Sequence, residues 1–224
     1  MYITILTLFP QMFDSPFASS IISRSIKQNK VTIQYINTRD FAKDNYKTVD
    51  DHPYGGGVGM IMKVDVIDRA LVYAKKLYPD MTAHTILLEA AGELYKESNA
   101  LRIAKDTQHL ILIAGHYEGV DERVKTLVDE TFSIGEYVLT GGEIPAMVIV
   151  DSVVRLLPGV LSKDESPKDE SYTKNPTYLE YPQYTKPQSY KSMDVPLILL
   201  SGNHKKIENW RKEKSIKKGS GSGL

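Results

Sequence analysis

The feature that most constrains the fold is a run of five consecutive apolar residues at 110–114. A strand that is apolar at every position is typical of a parallel sheet covered on both faces, because a strand with one solvated face alternates apolar and polar residues. Strands that alternate with helices predict an α/β domain with a mostly parallel sheet. The other strands are predicted at 2–8, 31–36 and 85–88, and the helices at 21–26, 64–77 and 99–104.

Glycine-bearing loops follow the predicted strands. Gly115 comes directly after the 110–114 strand, and residues 133–142, after the next strand, contain three more glycines ahead of an apolar helix. Ligands of parallel sheets bind outside the carboxyl ends of the strands, and glycine lets a ligand approach the main chain closely. The 133–142 loop has no Lys or Arg and matches no phosphate-binding motif, so a flat polar ligand is expected. The alternative is a plain connection between a strand and a helix.

The composition excludes several classes of protein. The chain has no cysteine, so disulfide frameworks, thiolate zinc sites and cysteine nucleophiles are excluded. It has no apolar run of about 18 residues and no secretory signal pattern at its N-terminus, which predicts a cytoplasmic protein. The five histidines show no metal-ligand spacing, so no metal site is predicted from them.

The net charge of zero hides an uneven distribution. Residues 186–224 contain nine Lys or Arg and three Asp or Glu, so the rest of the chain is acidic. This basic tail could provide a surface for a polyanion, or it could be an ordinary solvated helix face. The predicted organisation is a cofactor-binding domain at 1–161, a proline-containing linker at 162–190, a C-terminal helical segment at 191–218, and a Gly/Ser linker or added tail at 219–224. In the helical segment we expect an extended stretch at 195–200, a cap at 201–203 and a helix at 205–217, buried through Ile207 and Trp210.

Several unusual segments, in one order, resemble the bacterial tRNA (guanine-N1)-methyltransferase family. The most distinctive are Ala-Gly-His-Tyr-Glu-Gly-Val-Asp-Glu-Arg at 114–123 and Ser-Ile-Gly-Glu-Tyr-Val-Leu-Thr-Gly-Gly-Glu-Ile-Pro-Ala-Met at 133–147. The resemblance runs from residue 1 to about 215. Further matching segments are Leu8-Phe9-Pro10, Arg39-Asp40-Phe41, Val49-Asp50-Asp51, Pro53-Tyr54-Gly55-Gly56-Gly57, Arg155, Pro158-Gly159-Val160-Leu161 and Leu199-Leu200-Ser201-Gly202-Asn203-His204.

The resemblance implies a fold, a cofactor and partners. This family belongs to the knotted (SPOUT) class of S-adenosyl-L-methionine-dependent methyltransferases, so it implies a deep trefoil knot formed by the loops around 88–92, 115–119 and 133–142. It also implies a homodimer that binds tRNA, and a small C-terminal domain that is shorter here than in the family. Residues 88–92 read Leu-Glu-Ala-Ala-Gly where the family usually has Leu-Ser-Pro-Gln-Gly, which puts that wall of the pocket in doubt. The implied cofactor-binding residues are Leu88, Gly115, Glu118, Ile134, Gly135, Glu136, Tyr137, Val138, Leu139, Gly141 and Gly142.

The implied reaction moves a methyl group to N1 of guanosine 37, just 3′ of the anticodon. It requires an aligned methyl donor, a base for the N1 proton and a cation near the guanine O6 atom. Asp151 and Arg155 are four residues apart on the apolar helix and could form a structural ion pair. The resemblance instead implies that Arg155 is catalytic, as the cation facing O6.

The base implied by the resemblance is an aspartate that follows a serine after three intervening residues. Counting from Ser166, that position is Glu170, and Asp169 immediately precedes it. Glu170 is the preferred candidate and Asp169 the alternative, although both could be ordinary linker charges.

The implied guanosine site lies in the long loop at 42–59, which could otherwise be a flexible surface loop. Its candidate residues are Asp50, Gly55 and Gly59, joined by Tyr117. Carboxylates and backbone groups of this kind read the edges of unpaired RNA bases. The family also suggests a requirement for Mg²⁺, for which the sequence shows no ligand set. Two other functions stay open: an RNA-binding homologue without catalysis, and an α/β enzyme acting on a small molecule.

Overall fold

The chain divides into two units, residues 1–162 and 163–224. The structure, a computed structural model, describes residues 1–161, 170–172 and 178–217. Within these ranges, no helix is both long enough and apolar enough to cross a bilayer.

The strands of the first unit are β1 (Tyr2–Thr7), β2 (Thr32–Asn37), β5 (Ala83–Leu94), β6 (His109–Ala114) and β7 (Glu130–Ser133), with a small antiparallel pair β3 (Asp50–Asp51) and β4 (Ile61–Met62). The five longer strands form a parallel sheet in the order β2-β1-β6-β5-β7, which confirms the predicted α/β class with a mostly parallel sheet. Its α-helices are α1 (Asp14–Phe17), α2 (Ser20–Lys27), α3 (Val64–Lys76), α4 (Glu97–Asp106) and α5 (Glu143–Val154), and its 3₁₀ helices are Pro10–Phe13, Thr38–Phe41 and Glu122–Leu127.

The apolar strand at the centre of the sheet is buried on both faces, as its sequence predicts. All six residues of β6 are buried. Leu110 and Leu112 pack into a cluster with side chains of α2, α4 and α5, whereas Ile111 and Ile113 face a second cluster formed largely by α3. Because helices cover both faces, ligands can reach the sheet only at its edges or at the ends of its strands.

The strand predicted at 85–88 is longer than expected. β5 runs to Leu94, but Leu88 and Glu93 both pair with Phe132 of β7, so residues 89–92 bulge out of the ladder. Gly92 is required there, because a Cβ atom would lie 2.6 Å from the carbonyl carbon of Phe132. The predicted loop at 88–92 is therefore a bulge inside a strand, which short-range pattern could not indicate.

The second unit differs from its prediction in three places. Residues 195–200 were expected to be extended, but α6 (Leu197–Leu200) is a helical turn that follows Pro196. A short apolar run does not distinguish strand from helix by periodicity. The helix α7 (His204–Lys214) begins at the predicted cap, where the Asn203 side chain accepts from the Lys206 amide at 3.1 Å, but it ends before residue 217.

The third difference is that the predicted linker contains short strands. β8 (Tyr178–Leu179) pairs with β11 (Ile216–Lys217), and β9 (Ser189–Tyr190) pairs with β10 (Met193–Asp194). Ile207 and Trp210 of α7 are only half-buried. The assignment of this unit to tRNA binding stays a prediction.

Candidate functional site

A pocket of about 360 Å³ opens at the carboxyl edge of the sheet. β5, β6 and β7 run parallel to one another, so the segments that follow Leu88, Ala114 and Ser133 meet at this edge. The pocket is lined by Leu88, Glu89, Ala90, Ala91, Gly115, His116, Tyr117, Glu118, Gly119, Val120, Glu122, Lys125, Phe132, Ser133, Ile134, Gly135, Tyr137, Val138, Leu139, Gly141, Gly142 and Pro145.

The structure brings together nearly all of the residues predicted to bind the cofactor. Every one of them lines this pocket except Glu136, whose side chain is exposed. The 133–142 loop presents mostly apolar side chains to the pocket, together with its peptide N–H and C=O groups. This combination suits a flat ligand with polar edges. Binding by these residues stays a prediction.

The two glycines at the end of the loop make contacts within the protein. The Gly142 amide donates to the Gly115 carbonyl at 2.7 Å, and a Cβ atom at Gly142 would lie 2.7 Å from the Ala114 Cα atom. A Cβ atom at Gly141 would lie 2.4 Å from Glu143 Oε2 and 2.5 Å from His116 Nδ1. The glycines therefore let the start of α5 pack against the end of β6.

A buried polar cluster lies beside these glycines. The Glu143 carboxylate is almost fully buried, and Thr7 donates its hydroxyl hydrogen to Oε1 at 2.8 Å. The Thr7 oxygen also accepts from the Phe9 amide at 2.9 Å. The other carboxylate oxygen, Oε2, lies 3.8 Å from His116 Nδ1, a buried atom that has no hydrogen-bond partner among the described residues. Sequence analysis missed Glu143, although a carboxylate opening an almost wholly apolar helix is a signal.

One wall of the pocket carries an ion network that was also missed. Lys125 Nζ lies 2.9 Å from Glu122 Oε2 and 3.1 Å from Glu89 Oε1. The Glu122 and Glu89 carboxylates raise the pKa of Lys125. Glu89 belongs to the bulge that departs from the family's usual sequence. The network joins that bulge to the 3₁₀ helix at Glu122–Leu127.

Tyr117 lines the pocket in a strained backbone conformation. Its φ angle is +60°, which bulky side chains rarely adopt. Arg39 donates to its hydroxyl at 3.1 Å, and its ring packs edge-on against His116 at a centroid separation of 5.1 Å. Strain of this kind persists only where surrounding contacts hold the residue, and it is common at functional sites.

The predicted guanosine loop contacts the rim of the pocket. The Glu118 amide donates to the Met60 carbonyl at 3.1 Å. A Cβ atom at Gly59 would lie 2.3 Å from the Glu118 Cγ atom, whereas the space beside Gly55 is open. Asp50 pairs with Met62 at the base of this loop. The structure therefore brings Gly59 next to a pocket residue, while the roles of all three loop residues stay predictions.

Arg155, the predicted catalytic residue in the first unit, does not line this pocket. Arg155 follows α5, and its amide donates to the Asp151 carbonyl at 3.2 Å, one helical turn away as the spacing predicts. At 1.5 Å of rise per residue, Arg155 lies about 18 Å along the axis from Glu143. Glu170 belongs to the second unit, and Asp169 lies outside the described residues. The catalytic roles of all three stay predictions.

Comparison with known proteins gives consistent matches over the chain. A family model described as tRNA (Guanine-1)-methyltransferase TrmD matches residues 1–222. A protein of Dictyoglomus turgidum is 50% identical over 216 residues, which cover 96% of this chain and 85% of the relative. One of Geobacillus kaustophilus is 50% identical over 219 residues, covering 97% and 88% respectively. One of Carboxydothermus hydrogenoformans is 49% identical over 217 residues, covering 96% and 83%. All three relatives are named tRNA (guanine-N(1)-)-methyltransferase.

Proposed function

The chain belongs to the tRNA (guanine-1)-methyltransferase family, and on that premise we propose that it methylates N1 of guanosine 37 in tRNA, with S-adenosyl-L-methionine as the methyl donor. The observation that carries the proposal is the pocket at the carboxyl ends of β5, β6 and β7. Family membership and this pocket favour catalysis over the two other functions considered, an RNA-binding homologue and a small-molecule enzyme.

The pocket fits the methyl donor in size and chemistry. Its volume of about 360 Å³ falls within the range of small-molecule sites. Leu88, Ile134 and Leu139 offer apolar surface for an adenine ring, and the loop backbone offers donors and acceptors for its edges. The lining holds three carboxylates, Glu89, Glu118 and Glu122, against the single ammonium of Lys125, so its net negative charge favours a ligand that carries a sulfonium and an ammonium group.

The reaction assigns one task to each predicted side chain. S-adenosyl-L-methionine, when bound, supplies a methyl group on a positively charged sulfur. The Glu170 carboxylate, or Asp169 in its place, accepts the proton that leaves guanine N1. The Arg155 guanidinium stabilises the negative charge that develops on O6. Asp50 and the Gly55–Gly59 loop hold the guanine, with Tyr117 at the rim.

A homodimer would explain why Arg155 lies far from the pocket of its own chain. About 18 Å of helix separates Arg155 from Glu143, so we propose that each subunit supplies Arg155 to its partner's pocket. Ile144 and Val148, one turn apart on α5, are 45% and 40% exposed, which supports an apolar contact between subunits. In a test of complementation, mixed subunits carrying Arg155→Ala or Gly141→Val should show more activity than either variant has alone. No recovery in proven heterodimers would reject the shared site.

Other features follow from family membership as proposals. The segments around 88–92, 115–119 and 133–142 meet at one edge, which supports a trefoil knot in this region. The α7 helix carries Lys205, Lys206 and Arg211, which supports contact with tRNA phosphates. We also propose a cytoplasmic location. A need for Mg²⁺ is best tested directly, because the described residues contain no cluster of candidate ligands.

The proposal is tested by methyl transfer to an unmodified anticodon stem–loop transcript with guanosine at position 37. A matched transcript with adenosine there presents a 6-amino group in place of O6, which leaves the Arg155 guanidinium no oxygen to stabilise, so it should accept no methyl group. Binding of the transcript without transfer would favour the RNA-binding homologue. Absence of both, in protein shown to bind S-adenosyl-L-methionine, would favour a small-molecule enzyme.

A further inference from the structure

The His116–Glu143 pair is more constrained than the other polar groups of the pocket. His116 Nδ1 is buried and lies 3.8 Å from Glu143 Oε2. Gly141 has no side chain at the point where a Cβ atom would collide with both groups. The centroids of the Phe9 and Tyr117 rings lie 4.9 and 5.1 Å from that of the imidazole. These contacts leave the imidazole few alternative orientations.

The two carboxylate oxygens of Glu143 have different neighbours: Oε1 accepts from the Thr7 hydroxyl, and Oε2 lies beside His116. The Thr7 oxygen accepts from the Phe9 amide, so its own hydrogen goes to Glu143 Oε1. The carboxylate begins α5, where the helix dipole stabilises a negative charge. Oε2 is thus an acceptor directed at His116, and an acceptor next to one imidazole nitrogen fixes the proton on that nitrogen.

We propose that Glu143 is a positioning residue that holds the His116 proton on Nδ1, and that His116 Nε2 accepts a hydrogen bond from the α-ammonium group of the bound cofactor. This inference rests on the proposed function. His116 lines the pocket while its Nδ1 side faces the protein, so the Nε2 side is the one left for a ligand. The separation of 3.8 Å closes to a hydrogen bond on binding, as contacts in active sites commonly do.

We assign the amino-acid end of the cofactor to His116 Nε2 because that end carries a cationic hydrogen-bond donor. Neutral Nε2 is an acceptor, and the lining also favours a cation because its carboxylates, Glu118 among them, outnumber its one ammonium, Lys125. The adenosine end offers donors too, so the test must separate the two ends. S-adenosylhomocysteine has both ends, and 5′-methylthioadenosine has only the nucleoside.

The first experiment measures the His116 tautomer in folded protein by long-range ¹H–¹⁵N NMR of labelled histidines. Wild type should have its proton on Nδ1. In Glu143→Gln the amide oxygen keeps the Thr7 hydrogen bond, so the amide NH₂ group faces Nδ1 and the proton should move to Nε2. Glu130→Gln is the matched control, because Glu130 contacts a different histidine, His84, at 2.6 Å. A wild-type proton on Nε2, or an unchanged tautomer in Glu143→Gln, overturns the positioning role.

The second experiment measures ligand affinity by calorimetry. Glu143→Gln should bind S-adenosylhomocysteine about tenfold to a hundredfold more weakly, the range for a hydrogen bond to a charged group, and bind 5′-methylthioadenosine like wild type. His116→Gln, whose amide can reach the Nε2 position, should keep more affinity than His116→Asn.

Equal weakening of the binding of both ligands overturns the assignment to the ammonium group. Unchanged affinity for both overturns the inference while leaving the proposed function intact, whereas a wild type that binds neither ligand rejects the proposed function.

Discussion

A histidine lies beside a glutamate at both ends of the parallel strands, which we call the amino edge and the carboxyl edge of the sheet. The two pairs differ in the distance between the imidazole and the carboxylate. At the amino edge, His84 Nε2 lies 2.6 Å from Glu130, and Arg102 contacts both oxygens of the same carboxylate. At the carboxyl edge, His116 and Glu143 remain 3.8 Å apart beside the pocket. The amino-edge groups satisfy one another, whereas the carboxyl-edge groups keep capacity for a ligand. The same residue types thus form a closed contact at one edge and, as we propose, a binding site at the other.

The largest expected effect on the rate of methyl transfer comes from Glu170, the proposed general base, which belongs to neither histidine–glutamate pair. Glu170→Gln keeps the size of the side chain and removes its basicity, so single-turnover methyl transfer should fall by about 10²–10⁴-fold. Glu130→Gln, at the amino edge, should keep its rate per folded molecule. The third variant is Asp169→Asn, which should lower the rate of methyl transfer only slightly. If Asp169→Asn abolishes transfer and Glu170→Gln does not, Asp169 is the base.

Two arginines sharpen the comparison next. Arg155→Ala should slow methyl transfer by about 10²-fold or more while S-adenosyl-L-methionine affinity stays near wild type, because the guanidinium acts on charge in the transition state. Arg102→Ala should instead lower thermal stability and leave the rate of the folded fraction unchanged. An Arg155→Ala protein that is destabilised but fully active would mean that Arg155 is structural.

A smaller effect is expected from filling the space beside Gly141. A valine there would collide with His116 and Glu143, so it should weaken S-adenosyl-L-methionine binding by about tenfold or more and lower the melting temperature. Thr140→Val is the control, because the neighbouring Thr140 is exposed. Calorimetry on folded Gly141→Val protein that shows wild-type affinity would locate the cofactor elsewhere.

The smallest effect concerns a third histidine, at the amino edge. His109 is fully buried, Thr4 lies 2.9 Å from its Nε2 atom, and burial lowers the pKa of His109 from its ordinary value of 6.5. The unfolded chain therefore takes up a proton more readily than the native protein. The stability that neutral His109 contributes is complete above about pH 6.5 and is lost as the pH falls below it. Urea unfolding from pH 7.5 to 5.5 should show a shallower pH dependence in His109→Gln, and an equal slope in both proteins would contradict this account.

The sequence predicted regular elements well because their signals are local. The run at 110–114 marked a strand buried on both faces, and the cap at Asn203 marked the start of α7. The bulge at 89–92 was missed because it depends on Phe132 in another strand. The helical turn α6 differs from the predicted extended segment because a short apolar run has no diagnostic period.

The sequence predicted the loops that line the pocket but not the side-chain contacts that hold those loops in place. Glycine loops at strand ends indicated a pocket through a general rule of parallel sheets. The Thr7–Glu143 contact joins residues 136 positions apart, and no spacing rule connects them. Lys125 meets Glu89 only because the bulge turns toward the 3₁₀ helix. Such contacts depend on tertiary packing, which a pattern in one segment does not contain.

The bulge in β5 also makes part of the pocket exchangeable. Because Leu88 and Glu93 pair with the same residue, the backbone enters and leaves the segment at 89–91 at one fixed point of the sheet. The sequence between these anchors can be replaced, or its length varied, without changing the register of either strand, provided that Gly92 is kept against Phe132. A library confined to these three positions would therefore vary one wall of the pocket while preserving the core, so on the proposed function it is a natural starting point for engineering acceptance of altered methyl donors.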